Sequence, residues 1–174
     1  MAGHVIGDGF FTLSGAALSQ MEEQMRAMLG RPMGDADLEP FTLGLIDWYR
    51  GLPPGAAERA TAALADAGAT MRRFVERFDV VLCPTIPIEP PPLGYLSPEL
   101  DRETILARMA TLAGYTAVHN GAGLPAMSVP LFRTPGGLPI GSHFAAGIGQ
   151  EATLLALAFE LEAAAPWIDA YPVR

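Results

Sequence analysis

The sequence predicts an α/β fold, with helices layered on strands that are themselves buried. Two observations predict it. Stretches whose apolar residues fall three and four apart alternate with short, continuous apolar runs. Gly and Pro punctuate nearly every change of period, and no stretch repeats another. At 174 residues the chain suits one domain with a sizeable core.

The elements follow in order. Ser14 is expected to cap a helix with Leu18, Met21, Met25 and Met28 on one stripe, stopped by Gly30 and Pro32. "DLEPFTLGLIDWYRG" reads as a short second helix, with Pro40 in its first turn and Gly51 at its end. After Pro54 a long helix keeps its spacing through Ala57, Ala60, Leu64, Ala67, Met71, Phe74 and Phe78. "FDVVLCPT" then changes period. Its run Val80 to Cys83, ended by Pro84, suits a strand buried on both faces, as in a parallel sheet.

"TIPIEPPPLGYLSPEL" holds too many prolines for regular structure and reads as a loop. Ser97, Pro98 and Glu99 are a cap, a first-turn proline and an early acid. They predict a helix carrying Ile105, Met109, Leu112 and Thr116 on one face and ending near Asn120-Gly121. "AMSVPLF" and "IGSHFAA" are strands joined by the turn "RTPGGLP". "GQEATLLALAFELEAAAPW" is a last helix ended by Pro166.

Composition narrows function. The apolar set is 50% of the chain and charged residues 17%, against a usual ~25%. So little charge suggests that further protein normally covers part of this surface, the plainer alternative being an Ala/Gly/Pro-rich genome. The net charge is −8, and all 11 basic residues are arginine. An acidic chain without a basic cluster is poorly suited to nucleic acid or to anionic membranes. One cysteine, Cys83, excludes an internal disulfide and fits a reducing cytoplasm. No apolar run approaches the ~18 residues of a membrane span, and the first residues lack the basic start of a secretory signal.

Several chemistries are disfavoured by spacing. His4, His119, His143 and Cys83 fall at no local metal-ligand spacing, so no metal is expected. Gly121 to Ala126 matches G-x-G-x-x-A, but it follows a helix and opens a strand. A dinucleotide cradle needs the reverse order, and Pro125 removes a donor. No G-x-S-x-G elbow is present. Ser142 and His143 are adjacent on a strand and point to opposite faces. His143 reads as a hydrogen-bonded sheet residue rather than a base. Cys83 reads as a buried structural thiol with no cationic neighbour in sequence.

Taken together, "FDVVLCPTIPIEPPPLG", "YTAVHNGAGLPAMSVPLF", "GLPIGSHFAA" and "QEATLLALAFELEAAAPW" resemble the C-terminal part of the amidase signature family. The resemblance is strongest over residues 37–168. "DLEP" and "GSHFAA" look most like the branch with 6-aminohexanoate cyclic-dimer hydrolases. It implies that the chain is a single partial domain, part of an α/β/α sandwich with a mixed central sheet. It also implies amide C–N hydrolysis by a Ser–cis-Ser–Lys triad, without a cofactor. The chain departs from that pattern. It has no lysine, and Ser14, Ser19, Ser97, Ser128 and Ser142 include no Ser-Ser pair, so no triad residue carries over.

What the resemblance assigns here is one wall of the substrate pocket. Thr116, His119 and Asn120 would lie on one side and Thr85 and Pro84 opposite. The alternative is that Asn120 caps a helix and Thr85 satisfies a turn. Thr116 and Asn120 are expected at the end of one helix, within reach of Thr85. The strands "VVLC" and "MSVP" should share a sheet and bring their adjoining loops to one side. An acid that grips the substrate amine in the glutaminyl-tRNA amidotransferase relatives is replaced near Ala113, which points to a less polar amide. The expected partner is a missing N-terminal amidase half, or a second copy of the chain. A truncated gene, a misplaced start at Met1 or a split protein would each produce such a chain. The rival readings are a catalytically inactive remnant acting as a binding or self-associating scaffold, and an unrelated α/β hydrolase.

Overall fold

The computed structural model describes residues 2–167, with side chains from residue 6 onward; Met1, where a misplaced start would lie, is outside the described residues. The described chain forms two compact units. The first runs to Asp66 and resumes over Pro92–Leu112; the second takes Ala67–Pro91 and the chain from Ala113 onward. Among the described residues no helix is long and apolar enough to cross a membrane.

The first unit is helical. It holds α1 (Ala2–Leu29), α2 (Pro40–Arg50), the first half of α3 (Ala56–Val75) and α4 (Arg102–Leu112). Helix α1 does not begin at Ser14. It runs straight through that residue, whose side chain is exposed. Nor does the Met stripe face the core: Met28 is 80% exposed. The buried stripe is Ile6, Gly9, Thr12, Gly15, Ser19 and Glu22, also spaced three and four apart. Small residues won that face because other helices approach it closely. A Cβ at Gly9 would meet Leu64 Cγ at 2.7 Å, and one at Gly15 would meet Tyr49 Cβ at 2.7 Å.

Polar groups in this unit are mostly satisfied. Glu22 is buried yet pairs with Arg50 at 2.6 Å and accepts the Met33 N–H at 3.3 Å. Arg31 forks onto the Asp37 carboxylate at 2.7 and 2.9 Å. Arg102 stacks over Trp48, 5.0 Å from the ring centre. Ser97 does not open α4. It sits in a turn closed by Leu100 N–H on its carbonyl, and the Pro98 carbonyl accepts the Phe41 N–H. Asp101 caps instead, accepting the Thr104 N–H at 2.9 Å and its hydroxyl at 2.6 Å.

The second unit carries the sheet. Strands β1 (Val81–Pro84), β2 (Ala126–Arg133) and β3 (Pro139–Ala145) lie in the order β1-β3-β2, and both neighbours run antiparallel to β3. "VVLC" and "MSVP" therefore do share a sheet, and they are parallel to each other across β3. The expectation of a parallel-sheet strand buried on both faces is corrected. β1 is an edge strand of alternating burial, and Leu82 is 61% exposed. A run of apolar residues tells that a strand has two apolar faces, not what covers them.

Helices pack on both faces of this sheet. Helix α6 (Glu151–Ala164) covers one with Leu154, Leu157 and Leu161 against Val129, Phe144, Met127 and Leu131. On the other, the end of α3 and the short helix α5 (Ala117–Ala122) meet Val81 through Met71, Val75, Ala122 and Leu124. Helices α3 and α5 touch almost backbone to backbone. A Cβ on Gly68 would stand 2.8 Å from the Gly121 carbonyl oxygen, and Arg72 donates to the Ala122 carbonyl at 2.8 Å.

The single helix expected from Ser97 to Asn120 is in fact two. It breaks at residues 113–116, where Gly114 is a poor helix former. Helix α3 likewise ends at Val75, before Phe78.

Candidate functional site

Register sets the chemistry of the α5 face of the sheet. Cys83, His143 and Ser128 are direct partners across the three strands, so their side chains rise from the same face. Two residues on, β1 delivers Thr85 beside Gly141, whose carbonyl accepts the Thr85 N–H at 3.0 Å. Gly141 has no side chain on this face. Thr85 Oγ1 and Ser128 Oγ meet over it at 2.6 Å, and a Cβ there would run into both hydroxyls.

Helix α5 lies over the same face. It ends at Ala122 and is capped by Gly123, close to the expected Asn120-Gly121 end. Gly123 adopts a left-handed conformation (φ 64°), while its N–H reaches the Asn120 carbonyl and the Leu124 N–H reaches the His119 carbonyl. That closure places the His119 ring against His143, with centroids 5.0 Å apart and planes tilted by 38°. Both histidines are buried. Neither ring nitrogen of His119 reaches a partner in hydrogen-bond geometry, nor does His143 Nε2.

Burial, then the nearby His143, pushes His119 below the ordinary histidine range; the Tyr115 carbonyl pulls weakly the other way. Burial alone lowers His143 and raises the Cys83 thiol. The pair is therefore neutral at pH 7 and the sulfur protonated.

A cleft of about 430 Å³ opens beside this pair, lined by Thr116, His119, Asn120, His143, Ala113 and Ala126, among others. Thr116 is half-buried and Asn120 exposed. They sit four apart at the start and middle of α5, rather than together at one helix end. Three of the five residues singled out from sequence thus line one cleft. Thr85 and Pro84 are not among the residues lining it. The shared-loop expectation needs correction: α5 enters β2 at the Ala145 end of the sheet, where Pro125 accepts the Ala146 N–H. Thr85 leaves β1 at the opposite, Gly141 end. Because β1 and β2 are parallel, the loop after one and the loop before the other depart from opposite ends.

Sequence reasoning weighed Cys83 and His143 separately as structural residues and left Ser128 without a role; the unpartnered Nε2 of His143 corrects its reading as a hydrogen-bonded sheet residue. No local spacing links the three. Only the antiparallel register around β3 does.

A protein-family model described as Amidase matches residues 16–155, so the chain belongs to the amidase family. A putative amidase, AmiC, from Mycobacterium tuberculosis (strain ATCC 25618 / H37Rv) is 37% identical over 151 residues. That match covers 87% of this chain and 31% of the relative. The 6-aminohexanoate-cyclic-dimer hydrolase of Pseudomonas sp. (strain NK87) is 28% identical over 94% of this chain and 34% of its own length. Among solved structures, a 6-aminohexanoate cyclic dimer hydrolase superposes with a TM-score of 0.81 at 26% identity, over 94% of this chain and 35% of that one. A bacterial aryl acylamidase of the amidase signature family shares the fold, with a TM-score of 0.71 at 20% identity over 97% of this chain and 35% of that one. The chain spans about a third of the length of the curated relatives it matches.

Proposed function

We propose that this chain is the C-terminal part of an amidase that hydrolyses carboxamide C–N bonds by a Ser–cis-Ser–Lys mechanism. The catalytic residues would come from the remainder of such an enzyme. One observation carries this reading: a chain matched over most of its length by the amidase family holds no lysine and no paired serines, and spans a third of its relatives. On this reading nucleophile and proton relay would come from further chain, and this segment contributes structure and pocket wall.

In that role Thr116, His119 and Asn120 line the substrate side of the cleft. Ala113 lies in the same cleft where an acid would be needed to hold a substrate amine. An uncharged wall favours a less polar linear or cyclic amide. No cofactor enters this mechanism, and a single thiol with an acidic surface suits the cytoplasm.

The exposed side chains of Leu82, Phe132, Leu155 and Phe159 favour a second reading beside the first. Apolar surface of this extent invites either the rest of the amidase or another copy of the chain.

The test is a purified 174-residue chain given an activated anilide and ester panel and a serine-reactive fluorophosphonate. The expected result is no turnover above buffer and no labelling. A longer chain carrying a lysine and a Gly/Ser-rich segment ahead of Met1 should turn over, with Asn120→Ala raising KM. Turnover by the short chain that disappears on Ser128→Ala or Ser142→Ala would overturn the reading.

A further inference from the structure

We propose that Cys83, His119 and His143 form a binding site for a borderline-soft divalent cation of the Zn²⁺ type, independently of the amidase reading. Three elements supply the donors: β1 the thiol, α5 and β3 one imidazole each. One ligand atom from each lies within 4.8 Å of the others. A sulfur and two ring nitrogens are the donor set that Zn²⁺ selects, and Mg²⁺ or Ca²⁺ would not.

The second observation is independent of that proximity. His119 is 3% exposed and His143 8%, and three of their four ring nitrogens have no partner in hydrogen-bond geometry, the Tyr115 carbonyl acting on His119 only weakly. Buried polar atoms left without partners are uncommon and unfavourable. Two such rings lie against each other, centroids 5.0 Å apart, with a thiol beside them. A cation bound through one nitrogen of each ring satisfies two of those three orphaned atoms and takes the thiol as its third ligand.

The geometry sets how the site must close. Tetrahedral Zn²⁺ with Zn–S ~2.3 Å and Zn–N ~2.0–2.1 Å holds its ligand atoms ~3.3–3.7 Å apart. From up to 4.8 Å, the three atoms must therefore draw in by about 1 Å. Binding converts the thiol to a metal-bound thiolate and releases its proton to solvent, leaving the site with one net positive charge. The cleft beside His119 and His143 leaves the fourth coordination position for water or another ligand.

The experiment titrates the full chain with Co²⁺ under reducing conditions and then displaces it with Zn²⁺. The expected result is one equivalent bound, with intense tetrahedral d–d bands and a thiolate-to-metal charge-transfer band. Cys83→Ser should lose the charge-transfer band. His143→Gln should weaken binding by more than the ~10–100-fold that loss of an outer-shell partner produces. Circular dichroism establishes that each variant is folded. A variant-free measurement runs alongside: alkylation of Cys83 in the unaltered chain should slow at least tenfold when Zn²⁺ saturates. An unchanged alkylation rate, or Co²⁺ spectra identical in the unaltered chain and Cys83→Ser, would overturn the site.

Discussion

The two units solve burial in opposite ways. The helical unit brings small residues, Gly9 and Gly15, to its contacts and answers its buried carboxylate, Glu22, with Arg50. Ser19 Oγ is its one buried orphan among the described side chains. The sheet unit does the reverse. It buries two imidazoles with three unpartnered ring nitrogens, while both units expose large apolar side chains, Met28 and Leu93 in the helical one and Leu82, Phe132, Leu155 and Phe159 in the sheet one. A unit that completes its own polar contacts reads as scaffold. One that leaves imidazole nitrogens orphaned inside reads as part of a site.

That contrast is broken most directly by core deletion. Leu45 is fully buried in the helical unit, and Leu45→Ala should destabilise the chain by about 2–5 kcal/mol. Urea unfolding followed by circular dichroism measures it. A loss below about 1 kcal/mol would mean that the helical unit is loosely packed and the contrast is false.

Close backbone approach comes next. Gly68→Ala drives a methyl into the Gly121 carbonyl and Ala122 Cα, neither of which can step aside as a side-chain tip could. The expected loss is about 1–3 kcal/mol, with faster amide exchange across residues 117–122. Unchanged exchange there would show that α5 is not held by α3.

Acid should separate the units. In the sheet unit His119 and His143 titrate below their unfolded value, so the unfolded chain takes up protons first. Their neutral burial is fully tolerated above about pH 6.5, and stability falls as pH drops below it. In the helical unit Arg31 holds Asp37 down to about 2, from an ordinary 3.8, and Arg50 holds Glu22 below its ordinary value. That contribution is present above about pH 4 and is lost as pH falls towards 2. The two tryptophans report separately, Trp48 from the first unit and Trp167 from the second. In single-tryptophan variants the Trp167 signal should move at higher pH than the Trp48 signal. Coincident transitions would remove the distinction.

The smallest effect tests the hydroxyl pair. Thr85→Val keeps the shape but removes the hydrogen bond to Ser128, and should lower stability by about 1 kcal/mol. Self-association sharpens the same comparison. Light scattering that falls on Leu82→Lys or Phe159→Lys would locate the sticky surface in the sheet unit, and scattering unaffected by both would place it elsewhere.

Local chemistry written along the chain was enough for much of this. Pro40 and Gly51 bound α2, Pro84 ends β1, Pro166 follows α6, and the alternation of periods announces an α/β chain, because each depends only on neighbouring residues. The family was legible too, in "NGAGLPAMSVP" and the segments in register with it. Thr116, His119 and Asn120 share a cleft partly for the same reason, since they fall within one turn and a half of chain. The sequence misled where two stripes competed for one helix face. The Met residues of α1 are the more apolar, yet the glycines are buried, because how closely helices approach is set between segments and not within one. The meeting of Cys83, His143 and Ser128 was not legible at all. It follows from a pairing register around β3, and a shift of one residue would turn each of those side chains to the other face. Only the folded sheet chooses among registers, because the choice rests on the summed burial of both faces and on what packs over them.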